Sequence, residues 1–482
     1  MDFALNNKKK KQNKKILLCA WRKANTSLPP VLVNSSTVLG HLKIHMKKFP
    51  LLIIVFSIII SCGSDPSANQ QSDWKSIRST FEEDFKKLKL KPFELGYVQN
   101  IEHIQNKDSL LIQEKYFQSI QKSLKKIALK SLLKDEKLDY AIIQYETALN
   151  LERIGLEKKW TELDIDSVSK NGLSTVTYGK EWYTYFLKRW VDIDVSPDEM
   201  FNFGLKEIER VESSMKIVQE KSGLDSLAFQ NHIEHPSFYY NNVEDVQKAF
   251  ETTKQRVDKN LENYFPFLER IPDVTIARGT NKKLAQTPGF YKFKENTFYY
   301  NYFDIPFNKR QISWIYIHEA MPGHHYQLSL EKGLPRSNIK KMFSYRGFGE
   351  GYAAYAEEIG FEINAYQNIY DELGKWEWDI IRSVRVSLDV GLNYYNWSDE
   401  RAMLFWQQHI SGKDDIAQRE IARMKRWPAQ VITYKYGADK ILKWKEIFKS
   451  KEDFNLKEFH KTILKNGSLP FSILEKRLDL SN

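Results

Sequence analysis

The sequence predicts a mainly α-helical protein with one small β-hairpin. Its 482 residues include only 21 Gly and 15 Pro, which is few for a chain built from many tight turns. In segments 117–127 and 138–149, apolar residues recur every three or four positions, as on one face of a helix. The aromatic-rich stretch 287–302 has instead the pattern of two strands joined by a turn. We therefore expect a helical core with a small sheet beside it.

The helices are predicted from their apolar faces and their starts. The two faces comprise Phe117, Ile120, Leu124 and Ile127, and then Leu138, Ile142, Tyr145 and Leu149. Further along, Ser196 is a typical N-cap, and Pro197 is a typical first helical residue with acids in the turn that follows. This start predicts a helix through about Ser222.

We expect the hairpin at 290–302, with its turn at 294–296.

The N-terminus has the composition of a secretion signal. A short basic start at Met46 precedes the apolar run 51–60, which is about half as long as a membrane-spanning helix. Cys62 follows closely, so the segment resembles a bacterial lipoprotein signal, and the resemblance implies that Cys62 is acylated. The protein would then be anchored to a lipid bilayer in the cell envelope. The alternative is a short buried helix with an incidental cysteine.

Most of the excess positive charge lies in this N-terminal part. Residues 1–61 contain 11 Lys and Arg and one acid, which leaves 62 basic and 61 acidic side chains in the remainder. The remainder is close to neutral, so we expect no nucleic-acid partner. With only two cysteines, the chain has neither a disulfide framework nor a zinc site built from several thiolates. The predicted organisation is an over-extended or disordered leader at 1–45, a signal peptide at 46–61, a polar tether at 62–74 and one large helical domain at 75–482.

Three histidines lie within one short apolar segment, at positions 318, 324 and 325. His318 precedes Glu319, and a His-Glu pair on an apolar helix with another histidine one turn later is the arrangement of zinc peptidases. There, imidazole nitrogens hold Zn²⁺ and the glutamate accepts a proton from water. We therefore predict one zinc ion, with His318 as a ligand and Glu319 as the catalytic base.

The spacing of the histidines departs from the usual one. His318 and His324 are six residues apart, which places them about 240° apart around a straight helix. Pro322 and Gly323 lie between them and predict a break in the helix, so that both imidazoles can face one ion. His325 lies nearly on the face of His318 but too far along a straight axis, and it is the alternative second ligand.

The third ligand is predicted to be a carboxylate from a separate helix. Glu350 follows His324 by 26 residues and stands among small residues that let helices approach closely. Glu357 lies two turns beyond Glu350 on the same face, where it can contact a ligand from behind. A buried His-Glu pair without metal is the simpler interpretation, but it does not explain the helix-breaking Pro-Gly and the three histidines together.

These residues resemble a known family. The resemblance to the bacterial DUF885 family covers roughly residues 75–475 and rests on two elements, H-E-x-x-P-G-H-H from His318 and E-G-Y-A-x-Y-A-E from Glu350. That family in turn resembles the mostly helical gluzincin-type zinc peptidases. The resemblance implies a helical fold around a deep cleft, with His318, His324 and Glu350 as zinc ligands and Glu319 as the base.

A second segment, 423–437, is also similar to the family. Within it, a helix is predicted at Pro428–Gly437, so that Gln430 and Tyr434 share one face. Tyr434 can donate a hydrogen bond to the oxyanion of a tetrahedral intermediate, or it can be a core residue. Arg423 can bind a substrate carboxylate or be solvated.

Together these residues predict a zinc-dependent hydrolase, most simply a peptidase that acts on peptides in the cell envelope. The hairpin would offer an edge strand to the substrate backbone. One alternative is a non-catalytic envelope lipoprotein that binds peptide or another ligand, but it gives Glu319 no chemical purpose. The other is a zinc esterase or cell-wall amidase, which sequence does not separate from a peptidase because the same attack by water serves all three.

Overall fold

Helices account for most of the structure, as the sequence predicts. The computed structural model is 67% helix and 4% strand, with small sheets. It describes residues 66–480 except Asp166, Gln286, Asp304, Lys451 and Glu452. The predicted leader, the signal segment and Cys62 lie outside the described residues. Among the residues described, no helix is both long and apolar enough to cross a membrane.

The first half of the described chain consists of helices and one very short strand. These elements are α1 (Pro66–Lys87), α2 (Tyr97–Glu102), α3 (Lys107–Leu124), α4 (Lys134–Trp160), α5 (Gly179–Trp190), α6 (Pro197–Ser222), α7 (Ser226–Ile233), β1 (Tyr239–Tyr240) and α8 (Val243–Leu261). The predicted apolar faces of α3 and α4 are buried, which confirms these two helices.

The second half begins with the other strands and continues with helices. The strands are β2 (Thr275–Arg278), β3 (Gly289–Lys292), β4 (Thr297–Tyr300) and β5 (Phe307–Asn308). The helices are α9 (Gln311–Glu319), α10 (His324–Gly333), α11 (Asn338–Lys341), α12 (Arg346–Glu358), α13 (Ile369–Asn393), α14 (Asp399–His409), α15 (Asp414–Arg426), α16 (Ile432–Lys449), α17 (Leu456–Leu464) and α18 (Phe471–Arg477).

The helix predicted from Ser196 is confirmed, and both of its ends follow from local chemistry. Glu199 N–H donates to Ser196 Oγ at 3.3 Å, and Ser196 N–H donates to Glu199 Oε2 at 3.0 Å. This reciprocal pair satisfies backbone donors that the first turn leaves free. At the other end, Gly223 adopts φ 72°, the left-handed conformation that glycine tolerates best.

The helix α13 forms the centre of the core. Every residue from Asp379 to Asn393 is buried, which requires neighbouring elements on all sides of the helix. Its neighbours include α6, α9, α14, α15 and α16. The helices α9, α12 and α16, which carry the residues of the predicted site, therefore rest on a closely packed interior.

The predicted helix Pro428–Gly437 is wrong in both of its ends. The helix α15 ends at Arg426, and α16 begins at Ile432 and continues through Gly437 to Lys449. Gly437 lies inside α16 because α12 crosses it there: a Cβ built on Gly351 of α12 would lie 2.5 Å from the Cα of Gly437. The two glycines allow the close helix contact and do not end a helix.

The aromatic hairpin is confirmed. Strands β3 and β4 pair antiparallel, with Gly289 opposite Tyr300 and Lys292 opposite Thr297. The turn contains Asn296, whose φ of 46° places it in the left-handed region. Strand β2 pairs with β4 in parallel, so the order β2-β4-β3 leaves β3 at one edge of the sheet.

Part of the predicted tether is helical, since α1 begins at Pro66. Gln70 Oε1 accepts a hydrogen bond from Ala128 N–H at 2.9 Å, and Gln71 Nε2 donates to Ser131 O at 2.6 Å. Trp74 is completely buried. The start of α1 is thus held by polar side chains that bind a loop, and such contacts leave no apolar periodicity in the sequence.

Candidate metal centre

The predicted helix break separates the two histidines of the motif. The helix α9 ends at Glu319, α10 begins at His324, and the Met321–Pro322 peptide bond between them is cis. A Cβ on Gly323 would collide with the carbonyl oxygen of His318, so only glycine lets the chain fold back this closely. The rings of His318 and His324 consequently face each other edge to face, with their centroids 4.8 Å apart.

Glu350 from α12 completes a cluster with the two histidines. His324 Nε2 lies 3.3 Å from Glu350 Oε2. One potential ligand atom from each of His318, His324 and Glu350 lies within 4.8 Å of the others, and no second group of this kind is found in the described part of the chain. Two ligands held about 2.1 Å from a tetrahedral zinc ion lie about 3.4 Å apart, and two imidazoles with one carboxylate are a known catalytic ligand set. The donor types present therefore fit zinc, and the 3.3 Å between His324 and Glu350 matches the separation of two zinc ligands.

A buried carboxylate and an arginine hold His318 in position. His318 Nδ1 lies 2.6 Å from Glu357 Oε1, and Arg382 Nη1 donates to both oxygens of Glu357 at 2.6 Å. All three side chains are at most 5% exposed. Because the carboxylate accepts the Nδ1 proton, the Nε2 lone pair of His318 stays free for the cluster. The sequence predicts a supporting contact for Glu357, and the structure identifies its partners as His318 and Arg382.

The charges of His324 and Glu350 stabilise each other. Their side chains are 18% and 26% exposed. Although burial opposes the shift, the hydrogen bond to Glu350 and its charge raise the pKa of His324. Burial also acts against ionisation of Glu350, yet the hydrogen bond from His324 lowers the pKa of Glu350 to about 2. The contact between these two side chains therefore favours a protonated imidazole beside an ionised carboxylate.

Glu319 is the last residue of α9 and lies within the field of the cluster. Burial raises the pKa of Glu319, and the charge of Glu350 acts in the same direction. The imidazoles of His318 and His324 and a hydrogen bond from Tyr291 N–H act in the opposite direction. A carboxylate whose pKa is shifted toward neutrality is suited to accept and return a proton.

The edge strand β3 borders Glu319. Asn301 N–H donates to Pro288 O at 3.0 Å, and this bond continues the register of β3 with β4. Since hydrogen-bonded and non-bonded pairs alternate in an antiparallel ladder, the backbone groups of Gly289 and Tyr291 face away from β4. The Tyr291 N–H is one of these groups, and it donates to Glu319. The free edge of β3 is thus turned toward the cluster.

His325 lies outside the cluster. Its Nε2 is 2.8 Å from Pro272 O, an acceptor, so Nε2 carries the proton. Its Nδ1 therefore accepts from the hydroxyl of Tyr291 at 2.8 Å. Burial lowers the pKa of His325, which keeps the ring neutral. With both nitrogens occupied, His325 positions β3, and His324 is the histidine that the structure brings beside His318.

Three residues of segment 423–437 lie together beside the cluster. Tyr434 stacks on His318 with 22° between the ring planes and 6.3 Å between the centroids. Arg423 Nη2 donates to Gln430 Oε1 at 2.8 Å, and Gln430 Nε2 lies 3.5 Å from the hydroxyl of Tyr434. Burial, and then the charge of Glu350, raise the pKa of Tyr434, so its hydroxyl keeps its proton and can donate it.

Sequence reasoning missed two contributors to this arrangement. Arg382 holds Glu357, and its only signal is a basic residue within an apolar stretch of α13. Tyr291 supplies a backbone N–H to Glu319 and a hydroxyl to His325, and the sequence gives no sign of either contact. Both residues act across long separations along the chain.

A cavity of about 380 Å³ opens onto the cluster. His324 and Glu350 form part of its wall, together with Phe293, Gln327, Arg336 and Arg346 among others. His318 is only 4% exposed. Two of the three clustered residues are therefore accessible to a ligand in the cavity.

The fold and the centre define a class: a mainly helical protein with two histidines and one glutamate gathered at a helix break. The profile of the family described as "Bacterial protein of unknown function (DUF885)" matches residues 159–478, more than half of the chain. The chain belongs to this family.

Two solved structures have a similar fold. A candidate lipoprotein of unknown function from Shewanella oneidensis has a TM-score of 0.62 at 15% identity, covering 85% of this chain and 100% of that one. A candidate lipoprotein from Colwellia psychrerythraea has a TM-score of 0.59 at 21% identity, covering 77% of this chain and 68% of that one. At such identities the likeness concerns the fold alone. No curated protein sequence matches this chain.

Proposed function

We propose that this protein is a zinc-dependent hydrolase, most simply a peptidase, with His318, His324 and Glu350 as ligands of one zinc ion. The observation that carries the proposal is the convergence of these three side chains beside Glu319 at the helix break. The buried carboxylate behind His318 supports it, because zinc-binding histidines usually donate their other nitrogen to such a group. Zinc bound there supplies Lewis acidity toward a carbonyl group and toward water.

The residues around the cluster have distinct roles in this proposal. Glu319 accepts the proton of the attacking water and passes it to the leaving amine. The Tyr434 hydroxyl, kept protonated by its surroundings, donates a hydrogen bond to the oxyanion. The outward-facing backbone groups of Gly289 and the carbonyl of Tyr291 pair with the substrate main chain as an added strand, while the Tyr291 N–H stays on Glu319. Arg423 and Gln430 position Tyr434.

The proposed site of action is the cell envelope. The sequence around Cys62 resembles a lipoprotein signal. The two proteins of similar fold are described as candidate lipoproteins, which supports the same location for this chain. The substrate would be a peptide that reaches a lipid-anchored enzyme there.

Metal content tests the proposal. We expect about one zinc per chain in the purified protein, and loss of that zinc in Glu350→Ala. Glu181→Ala, which removes an exposed glutamate of α5, is the matched control and should keep the metal. Elemental analysis after dialysis measures the content. A wild-type protein that takes up no zinc when zinc is supplied would contradict the proposal and favour a non-catalytic binding lipoprotein.

A further inference from the structure

A second cavity adjoins the one at the metal centre. Its volume is about 420 Å³, and the two cavities share Ser344, Tyr345 and Arg346 in their walls. Much of the second wall is aromatic, with seven such residues: Phe85, Phe93, Trp182, Tyr185, Trp190, Phe343 and Tyr345. A ligand bound at the centre can therefore extend past Arg346 into an aromatic pocket.

Arg346 lies where the two cavities meet. It is the first residue of α12 and precedes Glu350 by four positions, so both side chains lie on one face of the helix, a single turn apart. Arg346 is exposed and has no ion pair or hydrogen bond with any described residue. The other arginines of the two walls are each paired with a glutamate: Arg336 with Glu331, Arg153 with Glu157 and Arg189 with Glu146.

Other donors without a partner in the described part of the chain belong to the wall of the aromatic cavity, among them the indole of Trp190. The indole N–H of Trp190 has no hydrogen-bond partner among the described residues, and Trp190 is only 7% exposed. The carbonyl of Trp190 abuts the backbone at Gly347, directly after Arg346. The indole nitrogen of Trp190 is itself fully buried, as is that of Trp182 in the same wall, so Arg346 is the exposed donor at this position.

The charge of both walls favours an anion. The metal cavity has three basic residues, Lys332, Arg336 and Arg346, against the acids Glu331 and Glu350. The aromatic cavity has four basic residues, Lys91, Arg153, Arg189 and Arg346, against Glu146 and Glu157. Since the remaining arginines are neutralised by partners, Arg346 is the one arginine of the two walls that is left to bind an anion, alongside the exposed Lys91 and Lys332.

We propose that Arg346 binds a carboxylate of the substrate and that the side chain next to this carboxylate enters the aromatic cavity. This inference rests on the proposed function. The first and fifth residues of α12 are about 6 Å apart along the helix axis, and an extended peptide spans about 3.5 Å per residue. The carboxylate therefore belongs to a residue one or two positions from the bond that is cut. The substrate class is a peptide with a free C-terminus or an acidic side chain at that distance.

Peptide binding to the purified protein tests the inference without turnover. In a Glu319→Gln background, calorimetry compares Ala-Ala-Phe with its C-terminal amide. We expect the free acid to bind about tenfold or more tightly, as for a charge-assisted hydrogen bond. Arg346→Met should abolish this preference, and Arg346→Lys should keep part of it. The control Lys206→Met removes a positive charge from an exposed position of α6, away from both cavities, and should leave the preference unchanged.

Further peptides identify the source of the carboxylate and probe the pocket. A peptide that ends in glutamate and has an amidated C-terminus offers only a side-chain carboxylate. Tight binding of this peptide would identify a side chain as the source, and tight binding of Ala-Ala-Phe would identify the C-terminus. Either result upholds the role of Arg346. Ala-Ala-Phe should bind more tightly than Ala-Ala-Ala. Equal binding of Ala-Ala-Phe, its amide and the amidated glutamate peptide, no measurable binding of either carboxylate peptide, or a preference that survives Arg346→Met in a folded variant would overturn the inference. Zinc content and turnover by the parent protein are measured separately, so the proposed function can stand when the inference fails.

Discussion

Two groups of charged side chains meet on the helix α12, and they differ in whether their charges are paired within the protein. The group at the end of the helix contains Glu358 and is closed. It comprises three acids, Glu207, Glu358 and Asp379, and three bases, Arg210, Lys375 and Lys435. Lys435 Nζ lies 2.7 Å from Glu207 and 2.8 Å from Asp379, and Lys375 Nζ lies 2.8 Å from Glu358. Every charge has a protein partner, which is the arrangement of a group that fixes packing.

The group near the start of α12 is open. Glu350 has one protein partner, His324, and Arg346 has none among the described residues. The ligand atoms of His318, His324 and Glu350 point toward one another, and part of this surface faces a cavity. The difference teaches that buried charge alone does not identify a functional site. A better indication of a functional site is a set of ligating atoms that would bind a metal ion or a substrate more strongly than any group of the protein itself.

The largest expected effect is that of Glu319→Gln. Removing the general base should lower kcat by a factor of about 10² to 10⁴, because glutamine cannot accept the proton of water. The zinc content should stay at the wild-type level, since Glu319 is not a ligand in the proposed arrangement. The loss of activity is measured as turnover of a peptide that the wild type cleaves, and the zinc content is measured by elemental analysis. Glu181→Gln, at an exposed position, is the control. A variant that loses its zinc would show that Glu319 is a ligand or a structural residue.

A substitution in the closed group should lower the stability of the folded protein. Asp379 is 3% exposed and accepts from Lys435, Lys375 and Arg210. Asp379→Asn leaves one buried positive charge without compensation, which should lower the free energy of unfolding by about 3–5 kcal/mol. Urea denaturation measures the loss. Asp164→Asn, at an exposed position, should change stability by less than about 0.5 kcal/mol. An unaffected Asp379→Asn variant would mean that the closed group does not hold the helices.

The features of this protein that depend on neighbouring residues along the chain could be predicted from the sequence. The Pro322-Gly323 break could be predicted because a straight helix cannot bring His318 and His324 to one ion. The helix from Ser196 and the aromatic hairpin could be predicted because an N-cap and a turn are encoded by adjacent residues. The order of the His-Glu motif and the position of Glu350 among small residues then sufficed to select His318 and Glu350, and to narrow the second histidine to His324 or His325.

Contacts between distant segments could not be predicted. The choice between His324 and His325 depends on the direction of the chain after the break and on Pro272 and Tyr291, which hold His325. Gly437 was misinterpreted because a glycine that ends a helix and one that admits a crossing helix look alike in a single sequence. Arg346 gave no signal either, since its lack of a partner is a property of the folded structure.

Adjacent glutamates of α12 offer a direct test of the difference between the two groups. Glu357 supports His318, whereas Glu358 belongs to the closed group. Glu357→Gln should weaken zinc binding about 10- to 100-fold, because the supporting carboxylate orients the imidazole and raises its basicity. Glu358→Gln should lower stability and leave zinc affinity unchanged. Competition with a chelator measures the affinity of both folded variants. Equal losses of affinity would mean that the two groups are not separate.

The smallest expected effect concerns a third buried group on α12, which is neutral. Tyr355 of α12 donates to His460 Nε2 at 2.8 Å, and His460 Nδ1–H donates to Tyr264 O at 2.6 Å. Burial lowers the pKa of His460 to about 3, from 6.5. As the pH falls below about 6.5, the unfolded chain binds a proton that the folded chain does not bind, so this contribution to stability is complete above pH 6.5 and is lost as the pH falls toward 3.

Between pH 7 and 5 this loss amounts to roughly 2 kcal/mol. His460→Gln removes the titrating group, so its deficit in unfolding free energy relative to wild type should shrink by that amount over the same interval. His103→Gln, at an exposed position, should follow wild type throughout. Urea denaturation at pH 7, 6 and 5 measures all three proteins. If the deficit of His460→Gln stays constant with pH, His460 takes up a proton in the folded protein over this interval as readily as in the unfolded chain, and its Nε2 is then not held by a hydrogen bond from Tyr355 at pH 5.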